Sequence, residues 1–157
     1  LRRTMRTLRV SSKRLGLLTL AIPIASILVG CGGAAAPDDA VPLSMLPDYV
    51  LTAPDRVREA YQFAAAHPEA LTHQPCYCGC GAMGHTSNLS CYVQEVAADG
   101  TVIFDDHAAG CGICVDITQD VMRLWAEGWS PARIRDYVDS RYSPFGPSTD
   151  TAYPAES

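Results

Sequence analysis

The stretch QPCYCGCGAMGHTSNLSC, residues 74–91, constrains this chain more than any other. It places Cys76, Cys78 and Cys80 at alternate positions, then His85 and Cys91. Gly79, Gly81 and Gly84 run between them, so the segment reads as a tightly turning loop. A second group, HAAGCGIC, adds His107, Cys111 and Cys114. Six thiols and two imidazoles so close together are too dense for ordinary core packing.

Between the two groups, CYVQEVAADGTVIFDD reads as a β-hairpin. Tyr92–Val96 and Thr101–Asp105 are β-prone, and Asp99-Gly100 supplies the turn. A hairpin brings its ends together, so Cys91 and the segment from His107 to Cys114 can approach the 76–85 loop. On this reading the two groups make one joint site.

The rest of the domain reads as helical. TAPDRVREAYQFAAAH has Thr52 as a cap, Pro54 in the first turn, and Val57, Ala60, Tyr61 and Ala64 at helical spacing before Pro68 ends it. VDITQDVMRLWAEG puts Ile117, Val121, Leu124 and Trp125 on one side and Gly128 beyond its end. Ser130-Pro131 caps a last helix with Ile134 and Val138 facing inward. The predicted fold class is therefore mainly α with a small β-hairpin: a single domain over residues 54–143, ending in a helical hairpin. The Pro-, Ser- and Thr-rich residues 144–157 are expected to be a disordered tail.

The N-terminal region reads as an export signal. Six basic residues between Arg2 and Arg14 precede the apolar run LGLLTLAIPIASILVGC, the layout of a bacterial secretory signal over residues 1–30. Leu28-Val29-Gly30-Cys31 resembles a lipobox, which makes Cys31 the expected lipidation site and cleavage before it the expected processing. Met5 is an alternative start. Residues 31–53, rich in Ala, Gly, Pro and Asp, read as a flexible tether. The expected location is extracytoplasmic, on a lipid anchor, where disulfides can also form.

Cleavage would leave six basic residues, all arginine, against 17 acidic ones, a formal charge of −11. Such a chain lacks the basic footprint that nucleic acid requires. Cations are its natural counterpart, although acidity alone serves solubility.

Three chemistries compete for the cysteines. Three disulfides would staple a small exported module with a protein-binding face. Cysteines two apart pair poorly, so that reading needs three crossing bridges from Cys76, Cys78 and Cys80 to Cys91, Cys111 and Cys114. Alternatively, Cys111 and Cys114 form a redox dithiol at a helix start, where the helix dipole favours the thiolate. The C-x-C-x-C run stays unexplained on that reading. The third reading is a metal site with ligands Cys76, Cys78, Cys80, His85, Cys91, His107, Cys111 and Cys114. Thiolates select Cu(I) and zinc, and three sulfurs in a small volume suit low-coordinate or bridged copper better than one tetrahedral zinc. Eight ligands suffice for two four-coordinate sites or one small cluster. Copper is the expected cofactor, zinc the second choice, and a metalloprotein the possible recipient. His67 reads as structural, His73 has no spacing argument, and Asp105 or Asp106 is placed to orient His107.

The chain resembles the PCYCGC-motif lipoproteins through PCYCGC at Pro75–Cys80, Gly84-His85, Cys91 and HAAGCGICVDI at His107–Ile117. The likeness runs from about Tyr49 to Tyr142. It implies identity more than function, and agrees with the lipobox. Residues 111–142 are also similar to the thiol-oxidoreductase of cytochrome c maturation. That likeness implies a dithiol pair, Cys111 and Cys114, on a helical hairpin, but has no counterpart for the PCYCGC loop.

Overall fold

The computed structural model describes residues 41–155. The expected signal segment, the lipobox with Cys31 and the first part of the expected tether lie outside the described residues. The described part holds six α-helices, four 3-10 turns and one two-stranded antiparallel sheet, the mainly α class with a hairpin that the sequence predicts; three of the helices, among them α3 (Pro68–Leu71), are single turns that it does not predict.

Helix α2 (Asp55–Ala66) and helix α5 (Gly112–Ala126) form the centre of the fold. Val57, Ala60, Tyr61 and Ala64 are buried along α2; Ile117, Val121 and Leu124 are buried along α5. Each large aliphatic chain sequestered in this way contributes about 1.5–3 kcal/mol. Gln119 of α5 donates to the Arg56 carbonyl of α2 at 2.8 Å, tying the rims of the two helices. Gly128, at φ +76°, reverses the chain after α5 in a conformation that a Cβ would strain. Helix α6 (Pro131–Tyr142) then starts at Ser130, whose hydroxyl accepts from the Arg133 N–H. Ile134, Val138 and Tyr142 bury its inner face. Asp120 of α5 fastens the pair, accepting from the Tyr142 hydroxyl at 2.8 Å and pairing with Arg141 at 3.0 Å. This is the expected C-terminal helical hairpin.

Strands β1 (Val93–Val96) and β2 (Val102–Phe104) pair Val93 with Phe104 and Val96 with Val102, with an irregularity between Val93 and Glu95. Gly100 turns the hairpin at φ +85°. At its open end the Asp105 N–H donates to the Tyr92 carbonyl at 2.9 Å, which sets Cys91 and His107 side by side.

Three expectations are corrected. Thr52 does not cap α2: it closes α1 (Asp48–Leu51), with its hydroxyl donating to the Asp48 carbonyl, and α2 begins after Pro54. The tether does not extend to residue 53, because Leu46 and Val50 are buried in the core. Leu46 is extended before Pro47 and Val50 is the one buried residue of the four-residue helix α1, so neither stands in a pattern that the sequence shows. The tail is not loose either. Residues 146–155 have no regular secondary structure but run along the domain, with Thr149 only 3% exposed and Pro154 buried. Tyr153 donates to Asp136 at 2.7 Å, and the Arg135 guanidinium reaches the Thr151 carbonyl at 3.2 Å. Polar anchoring of this kind leaves no hydrophobic pattern to read.

Among the described residues no helix is long and apolar enough to cross a membrane.

Candidate metal centre

The PCYCGC loop reaches the core through its first cysteine. The Cys76 N–H donates to the Thr149 hydroxyl at 2.9 Å, and the Thr149 N–H donates to the Cys76 carbonyl at 2.9 Å. Both backbone groups of Cys76 are thus held by one tail residue. From Thr149 a hydroxyl chain continues to Thr151 at 2.8 Å, which donates to the Thr86 carbonyl at 2.6 Å. The tail thereby links the cysteine loop to the segment beside His85.

Gly79 and Gly84, at φ +86° and +94°, flank a single 3-10 turn, Cys80–Met83. A non-glycine residue at either place would resist that backbone. The two reversals return Cys80 to the interior and bring His85 alongside it. Cys91 comes from the next 3-10 turn, Leu89–Cys91. Its position relative to α5 is set by a buried polar group. Asn88 donates to the Cys114 carbonyl at 3.3 Å and accepts from Thr118 at 2.7 Å, while the Tyr92 hydroxyl lies 2.7 Å from Thr118.

His107 opens the short helix α4 (His107–Gly110). The Tyr61 hydroxyl of α2 donates to the Asp105 carbonyl at 2.7 Å and accepts from the Ala109 N–H at 3.1 Å, fixing this turn. Cys111 sits at the start of α5 and Cys114 in its first turn.

All eight sequence-predicted residues meet here. Cys78, His107, Cys111 and Cys114 form one group whose ligand atoms lie within 4.8 Å of one another; Cys80, His85, Cys91 and His107 form a second. Cys76 joins Cys78 and Cys80 in a third group, and Cys91 and Cys114 in a fourth. The Cys76 Sγ lies 3.3 Å from that of Cys114 and 3.4 Å from that of Cys78. Cys78 and Cys114 are 3.6 Å apart, as are Cys80 and Cys91. Four thiolates around one zinc at about 2.3 Å would be separated by about 3.8 Å, so this spacing is close to that of a coordination shell. A disulfide bond is about 2.05 Å, and the six cysteines among the described residues are free thiols in the structure. Several of them have more than one equally near partner.

The imidazoles complete the site. His107 Nε2 is 3.3 Å from the Cys78 sulfur, and His85 Nδ1 is 3.4 Å from that of Cys91. The two rings stand edge to face, 5.2 Å between centroids. Asp105 serves both histidines. One carboxylate oxygen accepts from the His107 backbone N–H at 2.9 Å, and the other lies 3.7 Å from His85 Nε2. The expected orienting carboxylate is therefore Asp105, but the ring it faces is that of His85. His73 is directed away, 3.1 Å from the Ala152 carbonyl, and His67 lies beside Glu69 and the Phe63 and Trp125 rings.

Burial is graded across the centre. Cys76, Cys80, Cys91 and Cys114 are buried, whereas Cys78, Cys111 and the two histidines form a half-buried edge. The thiols do not share one acidity. Hydrogen bonds from Cys114 and then Cys91 hold Cys76 far below the usual thiol range. The bonds to Cys76 and Cys91, followed by burial, push Cys114 up. Burial, followed by the charge on Cys76, raises Cys78 and Cys80. For Cys91 the Cys114 bond acts downward, but the Cys76 bond and burial outweigh it. These shifts favour the thiolate at Cys76 over Cys78, Cys80, Cys91 and Cys114.

Sequence reasoning missed Thr149, Asn88 and Thr118, which position ligands without being ligands. No spacing rule marks them.

The fold and site define a small α-rich domain whose hairpin and loops gather a cysteine–histidine centre able to hold metal ions. The chain belongs to the family of proteins of unknown function with a PCYCGC motif, whose model matches residues 24–154. No curated protein and no solved structure matches it significantly.

Proposed function

We propose that this protein is an extracytoplasmic, lipid-anchored metal-binding protein that binds, buffers or delivers Cu(I), with zinc as the second choice. The observation that supports this most is the packing of six free thiols and two imidazoles at ligand spacing, several of the thiols with no unique partner for a disulfide. Soft, closely packed thiolates favour Cu(I), and excess sulfur lets one ion exchange ligands without leaving the site. The half-buried edge of Cys78, Cys111 and His107 gives cargo a way in and out, and a way to a recipient metalloprotein. Lipidation at Cys31 would hold the domain at the membrane surface; mass spectrometry of the mature N-terminus should find an acylated cysteine, and an unmodified chain starting elsewhere would rule the anchor out.

A second reading is thiol-disulfide exchange by Cys111 and Cys114. It draws support from Cys111 standing half-exposed at the start of α5. Against it, Cys114 is buried and hydrogen-bonded to Cys76 and Cys78, so oxidising the pair would disturb two further thiols. The experiment is metal content together with free-thiol count on protein purified anaerobically from its own compartment. Stoichiometric metal with sulfur ligation by X-ray absorption supports the proposal. Three quantitative disulfides in metal-free protein refute it and favour a stapled binding module instead.

A further inference from the structure

The two four-residue groups are not independent, and Cys76 belongs to neither. Its sulfur instead lies within 4.8 Å of two thiols from each: Cys78 and Cys114 of the first, Cys80 and Cys91 of the second. Sulfurs sharing one ion at about 2.3 Å lie about 3.8 Å apart in a tetrahedral site; the Cys76 sulfur is 3.3 Å from that of Cys114 and 3.4 Å from that of Cys78, and close enough to Cys80 and Cys91 that the ordinary adjustment of side chains around an ion brings it to either. The geometry points to a two-ion centre in which the Cys76 thiolate bridges the metals. One ion takes Cys78, Cys111 and Cys114; the other takes Cys80, His85 and Cys91; Cys76 is the fourth ligand of both. His107, shared by both groups and with its Nε2 3.3 Å from the Cys78 sulfur, supports that ligand from outside the two sets of four. This rests on the metal-binding reading above and adds number, grouping and connectivity to it.

The surroundings of Cys76 suit a bridge. A terminal ligand can adjust to one ion, whereas a bridging sulfur must hold its place between two. Cys76 is fully buried and both of its backbone polar groups are fixed by Thr149 at 2.9 Å. Cys78 and Cys111, the half-buried thiols, both fall in the first group. The first ion is therefore the exchangeable one, and the second, held by buried Cys80 and Cys91, is retained. Loading two ions through a shared sulfur couples the sites, because binding at one fixes a ligand of the other.

The full chain loaded anaerobically with cadmium-113 tests this, because two such nuclei joined by one sulfur split each other's resonance. The expected spectrum has two signals with mutual splitting, at two ions per chain by elemental analysis. Cys111→Ser should shift one signal and Cys80→Ser the other, whereas Cys76→Ser should shift both and abolish the splitting. The wild-type spectrum is decisive even if a variant misfolds. Two unsplit signals, or one ion per chain, would overturn the bridge while leaving metal binding intact. Retention of neither cadmium nor Cu(I) would overturn the metal-binding reading and the bridge with it.

Discussion

Cys78 and Cys111 stand at the half-buried edge of the centre, on different segments, yet both come within ligand distance of Cys114. If they share an ion, removing either has the same consequence. Cys78→Ser and Cys111→Ser are expected to weaken Cu(I) retention by comparable amounts, each by at least about tenfold, the lower end of what even an outer-shell partner costs. Competition with a calibrated chelator measures this. Unchanged metal content in Cys111→Ser, with disulfide reduction abolished, would instead assign the pair to redox exchange. The thiol acidities add a second expectation. Cys78, Cys80 and Cys114 are raised, so they stay protonated at neutral pH in the metal-free protein and must lose their protons to bind. Metal uptake should acidify an unbuffered solution, and apparent affinity should fall as pH falls. An affinity that does not change with pH would show that the bound ion does not use these thiols.

At the scale of elements, the tail decides how well the PCYCGC loop is held. Thr149→Val keeps the shape but removes the acceptor for the buried Cys76 N–H, a loss of about 1–3 kcal/mol. A lower midpoint in thermal unfolding of the metal-free protein is expected, together with weaker metal retention, and wild-type behaviour in both would mean the tail is not a support. Gly146 makes the same point sterically, since a Cβ there would lie 2.9 Å from the Tyr77 carbonyl oxygen. Gly146→Ala should push the tail off the loop and destabilise in the same direction. Helices α2, α5 and α6 and the hairpin were readable because each carries its own signal. Val57, Ala60, Tyr61 and Ala64 repeat at helical spacing, Ser130-Pro131 marks a start, and Asp99-Gly100 marks a turn. The short helix Asp48–Leu51 and the tail have no such periodicity, so their burial was not legible.

For the whole molecule, four separate segments supply the centre: the loop at 76–85, the turn at Cys91, the turn at His107 and the start of α5. An ion bound there cross-links all of them, and a ligand specific to the native state stabilises it by mass action. With free metal about a thousandfold above its Kd the gain is about 4 kcal/mol. Stripping Cu(I) with a chelator should therefore lower the unfolding midpoint reversibly, as followed by circular dichroism, and a midpoint insensitive to metal would place the ion outside the folded core. The sequence by itself determined the candidate ligands and their two clusters, because thiol and imidazole chemistry belongs to residue type, and the hairpin between the clusters is a local signal. It also determined the helical class, through periodicity within single segments. Only the tertiary structure decided that Cys76 lies between the two groups, that Asp105 faces His85, and that Thr149 holds the loop. The longest of those relations join residues 20, 38 and 73 positions apart through individual hydrogen bonds and contacts, and such pairings leave no period or composition along the chain to be read.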